Sequence, residues 1–140
     1  MTTMTDTLFE KIIRGDIPCH KVYEDDETFA FLDIKPINPG HTLVIPKTAY
    51  PDLFALPQET FLAMMRAVHY LVPRIKDAVG ADGINIGMNN GTAAGQEVFH
   101  AHVHIIPRFE GDGHKHWPGQ PYDEGEAEEV LRKIEHTLLA

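Results

Sequence analysis

The chain has 140 residues, of which 43% are hydrophobic and 24% charged, and its net charge is −9 when histidine is neutral. This length fits one domain over residues 1–140. The acidic balance disfavours a protein that coats nucleic acids, because such proteins need a basic surface. No apolar run approaches the ~20 residues of a membrane span, and the first residues lack the pattern of a secretory signal. Cys19 is the only cysteine, so no intrachain disulfide is possible, and we expect a cytoplasmic protein.

The N-terminal third of the chain predicts one short helix and three strands. Thr7 and Glu10 form a Thr-x-x-Glu capping box, in which a hydroxyl and a carboxylate each accept a hydrogen bond from a backbone N–H at the helix start. Apolar residues then recur at helical spacing, and Gly15 ends the helix. Runs rich in β-branched and aromatic residues predict strands over residues 21–24, 28–34 and 41–45.

The remainder predicts a long helix, two more strands and a terminal helix. Apolar residues at helical spacing extend from Pro57 to Gly80. Pro73 is expected to kink or break this helix, because proline lacks a backbone donor. Residues 84–89 and 98–106 predict strands, the second stopped by Pro107, and residues 126–139 predict a helix. Hairpin-like turns join most strands, which favours an antiparallel α+β fold over a parallel βαβ fold.

Three of the nine histidines fall within five residues. His100, His102 and His104 alternate with apolar residues, so on a strand they share one face, with about 7 Å between successive Cα atoms. Histidine is an uncommon choice for a strand, and three in phase call for an explanation. The residues alone leave three open: a solvated polar face, ligands for a metal such as zinc, or a neutral imidazole that attacks an electrophilic centre such as phosphorus.

The histidine run resembles the signature of the histidine triad (HIT) family, in which three histidines alternate with apolar residues. The run reads GQEVFHAHVHIIPR at residues 95–108. Three further segments resemble family segments in the same order, namely LFEKIIRGDIP at 8–18, VYEDDETFAFLDIKPINPGHTLVIPK at 22–47 and GMNNGTAAGQ at 87–96. Together they cover most of residues 7–108, which the resemblance makes the core of a HIT domain, followed by a C-terminal tail and helix over 109–140.

The resemblance implies a HIT-like fold and a nucleotide substrate. The fold would have about five antiparallel strands, a long central helix, and short helices at both ends of the chain. The activity would be hydrolysis or transfer at the α-phosphate of a purine nucleotide conjugate. The leaving group could be an amine, as in adenosine phosphoramidate, or a phosphate chain, as in a dinucleoside polyphosphate. The resemblance implies a homodimer, and we expect no cofactor, no bound metal and no nucleic-acid or membrane partner.

The resemblance also assigns a role to each histidine of the run. His102 would be the nucleophile and would form a nucleotidyl-histidine intermediate that water then cleaves. His104 would contact the α-phosphate, and His100 would sit behind His102. Either His41 or a backbone carbonyl would fix the His102 tautomer, because only a deprotonated ring nitrogen can attack.

The remaining site residues are also carried over by the resemblance. Asn89 and the amides around Gly95, Gln96 and Glu97 would bind phosphate, and Asp33 would hold the ribose hydroxyls. The base pocket would be apolar and would comprise Leu8, Phe9, Ile12, Phe31, Ile34 and Leu43. From the residues alone, plainer interpretations stand beside these: Asn89 suits a turn, Asp33 an exposed acid, His41 the start of a strand, and the apolar residues an ordinary core.

Two positions depart from the family pattern. Many bacterial relatives carry two cysteines and a later histidine that, with a triad histidine, bind a structural zinc, whereas this chain has Thr7, Glu10 and Ala49 there. We therefore expect no structural zinc. Glu97 stands where some relatives have serine or threonine. Its carboxylate would either repel phosphate or, with a raised pKa, protonate the leaving group.

Two other functions remain open at the level of sequence. One is a nucleotide-binding module with little turnover that works through protein partners. The other is a metal-dependent hydrolase with the histidines as ligands. Arg108 could meet a phosphate chain or be an ordinary exposed arginine. Trp117 is expected to pack or to lie at an interface.

Overall fold

The computed structural model describes residues 6–139 as one five-stranded antiparallel sheet with helices on both of its faces. The strand order is β1-β2-β3-β5-β4. In chain order the elements are α1 (Leu8–Arg14), β1 (Lys21–Glu24), β2 (Thr28–Leu32), β3 (Thr42–Pro46), α2 (Gln58–Val79), β4 (Gly83–Gly87), a 3-10 turn (Thr92–Ala94), β5 (Val103–Arg108) and α3 (Glu126–Leu138). The predicted antiparallel α+β fold is confirmed.

Helix α1 begins at the capping box that the sequence predicts. The Thr7 hydroxyl accepts the Glu10 N–H at 3.0 Å, and the Glu10 carboxylate accepts the Thr7 N–H at 3.0 Å. Gly15 ends the helix with a φ of +85°, a left-handed conformation that glycine adopts without steric cost. Phe9 and Ile12 point into the core, so α1 lies with its apolar side on the sheet.

The sheet carries a different apolar cluster on each face, because successive strand residues point to opposite sides. One cluster packs against α2 and includes Ala30, Val44, Val103, Ile105 and Met64. The other packs under α1 and comprises Phe9, Ile12, Phe29, Phe31, Leu43 and Ile45. His104 is paired with Leu43 across β5 and β3, so its side chain belongs to the α1 face.

Helix α2 passes through Pro73 as one element, so the expected break is absent. Pro73 lies on the exposed side, and the next residue uses its guanidinium to bind the preceding turn. Arg74 donates to the Tyr70 carbonyl at 2.8 Å and stacks on the Tyr70 ring at 3.8 Å. The predicted apolar face is also shifted, because Leu62 is half exposed whereas Ala63, Met64 and Ala67 are buried.

Several strand boundaries differ from the predicted ones, chiefly in β5, which was expected over 98–106. Pairing between β3 and β5 ends at Val44 and Val103, so residues 98–102 have no strand partner and precede β5. Pro107 does not stop β5. It lies beyond the β3 pairing and faces Ile84 of β4, where its missing N–H leaves no gap in a ladder with β3. Strand β4 ends at Gly87, two residues earlier than predicted, and Ile86 is half exposed.

The segment after β5 is tied to the rest of the fold by several hydrogen bonds, including Asn38 to Asp112 and the Glu110 N–H to Asp82. Arg108 binds the Asp112 carboxylate through two nitrogens, at 2.8 and 3.0 Å. Helix α3 follows at the predicted position but has no buried residue. None of the helices within residues 6–139 is both long and apolar enough to span a bilayer.

Candidate active site

A cleft of about 590 Å³ opens on the α1 face of the sheet. Its volume lies within the range of small-molecule binding sites. The cleft is bounded by α1, the β2–β3 side of the sheet, the loop after β4 and the segment that leads into β5. Of the residues that the sequence singles out, it is lined by Leu8, Phe9, Ile12, Phe31, Asp33, Ile34, Leu43, Asn89, Gly95, Glu97, His102 and His104.

The three histidines of the run do not share one strand face as predicted. Only His104 lies in β5, while His100 and His102 precede it. The rings of His102 and His104 are 4.9 Å apart and both line the cleft. His100 is fully buried behind them, because its ring is bound between α1 and the end of β3.

A backbone carbonyl fixes the tautomer of His102. Its Nδ1 lies 2.7 Å from the carbonyl oxygen of His100. A carbonyl only accepts, so Nδ1 carries the proton and donates it. The lone pair of the neutral ring is therefore on Nε2, which has no hydrogen-bond partner among residues 6–139. Of the two groups that the sequence left open for this task, the structure uses the carbonyl and not His41.

His41 instead orients His104. The Ile37 N–H donates to His41 Nδ1 at 3.1 Å, so the proton of a neutral His41 is on Nε2. That Nε2–H points at His104 Nδ1, 2.9 Å away. His104 Nδ1 therefore accepts, and the proton of a neutral His104 is on Nε2. This chain of hydrogen bonds, which begins at a backbone amide, leaves His104 with an N–H donor that has no acceptor in the described part of the chain.

Burial keeps these imidazoles neutral near pH 7, since desolvation penalises the charged form. It lowers the pKa of His41, His100 and His102 below the ordinary value, against a smaller opposing effect of Asp33 on His41 and His102. The pKa of His104 falls to about 4, through burial first and then the neighbouring His102 and His41. The tautomers derived from the hydrogen bonds therefore apply at neutral pH.

The apolar wall of the cleft comes from α1, β2 and β3. Phe9, Ile12, Phe31 and Leu43 are buried and line it. Two predicted pocket residues stand at the rim instead, since Leu8 is 46% exposed and Ile34 is 83% exposed. These two keep apolar surface available to a ligand in the free protein.

The polar end of the cleft has the carboxylates of Asp33 and Glu97 and two amide groups that have no acceptor within residues 6–139. An Asp33 carboxylate oxygen lies 3.7 Å from His41 Nε2. The side chain of Asn89 makes no hydrogen bond within residues 6–139, and its amide nitrogen would lie 3.6 Å from a Cβ added at Gly95. The backbone N–H of Glu97 likewise donates to no group in that range.

The amides of Gly95 and Gln96 are less available than the sequence suggested. Gly95 N–H donates to the Thr92 carbonyl and Gln96 N–H to the Gly91 carbonyl. The Gln96 side chain is buried, accepts the Gly91 N–H at 2.8 Å and donates to the Val98 and Pro51 carbonyls. Gln96 therefore braces the loop from within and does not line the cleft.

The histidine run does not form the metal site considered from the sequence, because both ring nitrogens of His100 are hydrogen-bonded within the protein. A different group of possible ligands lies beside it. Within residues 6–139, Asp33, His41 and His104 are the one group of three whose ligand atoms lie within 4.8 Å of one another. A metal on His41 Nε2 would move the proton of that ring to Nδ1, where it would face the Ile37 N–H at 3.1 Å. At the family zinc position, the Thr7 hydroxyl is hydrogen-bonded to His100 Nδ1 at 2.8 Å.

Several residues at the site carry no sequence signal. Ile17, Pro18, Cys19, Lys35 and Val98 also line the cleft. They belong to loops and to a strand end whose approach to the histidines depends on the whole chain path. Arg108, considered as a phosphate contact, is occupied by Asp112, Asn85 and the His114 carbonyl.

Comparison with known proteins places this fold and cleft in a family. The family model described as "HIT domain" matches residues 14–111, well over half of the chain. The chain belongs to the HIT family. The match to this family includes the histidine run and most of the cleft.

Named and solved HIT relatives resemble the chain over most of its length. It is 48% identical to "Adenylylsulfatase HINT3" of Arabidopsis thaliana over an alignment of 111 residues. That alignment covers 79% of this chain but only 56% of the Arabidopsis protein. The chain is 38% identical to "Adenosine 5'-monophosphoramidase hnt1" of Schizosaccharomyces pombe, covering 91% of this chain and 97% of that protein. The crystal structure of SMU.412c from Streptococcus mutans superposes with a TM-score of 0.89 at 38% identity, covering 99% and 88% of the two chains.

Proposed function

We propose that this HIT protein is a nucleotidyl hydrolase that cleaves purine nucleotide conjugates at the α-phosphate through a covalent intermediate on His102. The observation that carries the proposal is the His102 ring. Its Nδ1 is tied to the His100 carbonyl at 2.7 Å, so its unpartnered Nε2 holds the lone pair inside a cleft of about 590 Å³. A buried neutral imidazole with a fixed lone pair is suited to attack on phosphorus.

The reaction takes two steps, and each exchanges one bond at phosphorus. In the first, His102 Nε2 attacks the α-phosphorus, the bond to the leaving group breaks, and that group departs with the electron pair and takes up a proton. In the second, water attacks the nucleotidyl-histidine and loses a proton. The P–N bond then breaks and returns the lone pair to Nε2. The net products are a nucleoside monophosphate and the free leaving group.

Three donors are placed to hold the phosphate during these steps. They are the Nε2–H of His104, the side-chain amide of Asn89 and the backbone N–H of Glu97, none of which has a partner within residues 6–139. Donors fixed before the substrate arrives stabilise developing negative charge without reorganisation cost. We assign the ribose hydroxyls to Asp33 and the base to the apolar wall under α1.

An amine is the leaving group that the cleft accommodates best. Glu97 and Asp33 line it together with one cation, Lys35, and the excess of negative charge disfavours a polyphosphate chain more than a neutral or cationic amine. Arg108, the cation considered for a phosphate chain, is held by Asp112 instead. The name of the S. pombe relative, a monophosphoramidase, supports the same choice.

The decisive experiment measures AMP release from adenosine 5′-phosphoramidate by the native chain and by His102→Ala, each with and without a chelator. We expect turnover that survives the chelator and disappears in the variant, with loss of at least a thousandfold, since removal of a covalent nucleophile generally has an effect of about this size. His136→Ala, on the exposed side of α3, is the matched histidine control.

Other outcomes would replace the proposal. No turnover by the native chain, together with tight AMP binding, would indicate a nucleotide-binding module. Turnover that the chelator abolishes would indicate a metal-dependent hydrolase. Cleavage of a dinucleoside polyphosphate in place of the phosphoramidate would keep the nucleophile and change the leaving group.

A further inference from the structure

His100 is held by both of its ring nitrogens although it does not line the cleft. Nε2 lies 2.7 Å from the Pro46 carbonyl at the end of β3, so it carries the proton and donates it. In the neutral ring Nδ1 must then accept. Its partner at 2.8 Å is the Thr7 hydroxyl, which therefore donates its proton to His100.

The Thr7 hydroxyl uses its single donor and one acceptor lone pair in two contacts. It donates to His100 and accepts the Glu10 N–H that begins α1. The Glu10 carboxylate accepts the Thr7 N–H in return. The first turn of α1 is thus fixed to a residue that lies 93 positions away in the chain.

The same turn of α1 contacts the nucleophile directly. The Phe9 ring meets His100 edge-on at 5.6 Å and His102 edge-on at 5.1 Å. Phe9 is only 4% exposed, so its position is set by packing. Helix α1 therefore supports both histidines, one through a hydrogen bond and an aromatic contact, the other through an aromatic contact alone.

Helix α1 influences His102 Nε2 through the peptide group that contains the His100 carbonyl. The carbonyl that selects the His102 tautomer belongs to His100, the residue that Thr7 holds in place. No strand pairs with residues 98–102 within the described chain, and the peptide group of this carbonyl is held on its N–H side by one bond, from the Ala101 N–H to the Tyr50 carbonyl at 2.7 Å. That bond leaves the side of the peptide group that carries the His100 ring to be fixed by other contacts. The ring contacts of His100 take over that task, with Thr7 on one side and Pro46 on the other.

We propose that Thr7 is a positioning residue for the nucleophile: its hydroxyl donates to His100 and so holds the carbonyl that keeps the His102 lone pair on Nε2. The inference rests on the proposed function for its effect on turnover. The effect of Thr7 on the His102 tautomer is a property of the protein without substrate and does not depend on the proposed function. The capping role of Thr7 accounts for the hydrogen bond to Glu10 but not for the bond to His100.

The test compares Thr7→Val, Thr7→Ser and Glu10→Ala. Valine keeps the shape and removes the hydroxyl, serine restores it, and Glu10→Ala weakens the helix cap while the Thr7 hydroxyl remains. We expect kcat for adenosine 5′-phosphoramidate to fall about tenfold or more in Thr7→Val, as for a displaced catalytic group, with KM within about twofold. Thr7→Ser and Glu10→Ala are expected to stay within about threefold of native kcat.

The tautomer is measured directly by ¹⁵N NMR of the histidine rings in the protein without substrate. We expect His102 to show one tautomer, protonated at Nδ1, in the native chain and in Thr7→Ser, and a mixture in Thr7→Val. Thr7→Gly is the alternative if Thr7→Val does not fold, because glycine is tolerated at a helix N-cap and also lacks the hydroxyl.

Three results would overturn the inference. A folded Thr7→Val or Thr7→Gly with native kcat and a single His102 tautomer would show that the hydroxyl is not needed. An equal loss in Glu10→Ala would show that Thr7 acts only through the helix cap. An equal loss in Thr7→Ser would show that the hydroxyl is not the group responsible. A native chain without turnover would refute the proposed function alone and leave the tautomer measurement decisive.

Discussion

The histidines of the cleft combine burial with fixed proton positions, and at the scale of single residues this sets how activity depends on pH. In the proposed mechanism, His102 attacks only when Nε2 is deprotonated, and burial lowers its pKa below 6.5. We therefore expect kcat/KM for the phosphoramidate to stay constant as pH falls through 6.5 and to decline only at lower pH. A profile between pH 4 and pH 8, measured in constant ionic strength, tests this expectation.

The stability of the folded protein should also decrease toward acidic pH, because the same histidines are buried in their neutral form. Between its native and unfolded pKa values each of these histidines binds more protons when unfolded, so the free energy of unfolding decreases as pH falls below about 6.5. For His104 the decrease extends to about pH 4, its native pKa. An acidic midpoint of kcat/KM at or above 6.5 would contradict the burial argument.

Residue identity predicted part of the site and could not predict the rest. The run of alternating histidines and the resemblance that it carries led to His102, His104 and the apolar wall, because side-chain chemistry is visible in a sequence. The hydrogen bond between Thr7 and His100 is not, since it joins two residues 93 positions apart. The Ile37 N–H determines which nitrogen of His41 carries the proton. Because it is a backbone group, the identity of residue 37 does not reveal this contact.

At the scale of elements, the local sequence signals predicted the bounds of α1 correctly, whereas Pro73 did not break α2 as expected. The capping box and Gly15 predicted α1 because both act through neighbours in the chain. Of the kink or break expected at Pro73, the break is absent, because the proline lies on the exposed side of a long helix held by the sheet and removes only the one backbone bond to the His69 carbonyl. The strand over 98–106 was wrong because alternation reports side-chain direction and does not report whether a partner strand is present.

The start of α1 also yields a prediction about metal content. Three of the four ligand positions of the family zinc site are Thr7, Glu10 and Ala49, and the hydroxyl and carboxylate among them are engaged in the cap and with His100. A structural zinc site needs four protein ligands, which are cysteine thiolates, imidazoles or carboxylates that are free to bind the metal. Elemental analysis of protein purified without added metal should therefore find far less than one zinc per chain.

A stoichiometric zinc signal would contradict this expectation. The replacements Thr7→Cys, Glu10→Cys and Ala49→His in one chain provide the matched control, since they supply the missing ligands. That chain should bind zinc if the position itself is sound.

At the scale of the whole molecule, the sheet ends in two strands, β1 and β4, that each have one neighbour. Exposed strand edges favour pairing with another chain unless they are covered. Ile86 on β4 is 50% exposed and Trp117 in the C-terminal segment is 92% exposed. Large apolar side chains so placed are common where a second subunit docks.

We expect a homodimer whose two sheets join, and sedimentation velocity at micromolar concentration tests it. Ile86→Lys places a charge on the β4 edge and should shift the population toward monomer. Leu139→Lys, an exposed position at the end of α3, is the control for an added charge. A native chain that sediments as a monomer would refute the dimer, and an unaffected Ile86→Lys would place the interface elsewhere.

The positions of the protons in this cleft depend largely on the main chain. The Pro46 carbonyl sets His100, the His100 carbonyl sets His102, and the Ile37 N–H sets His41. No substitution can delete a carbonyl, and only proline deletes an N–H. The exposed side chain of Ile37 can therefore be exchanged for any except proline without moving a proton, whereas inserting or deleting one residue between 37 and 41 or between 100 and 102 would shift a donor or acceptor out of reach. In a mutational library, this cleft should tolerate point changes at such positions and be lost to single-codon indels.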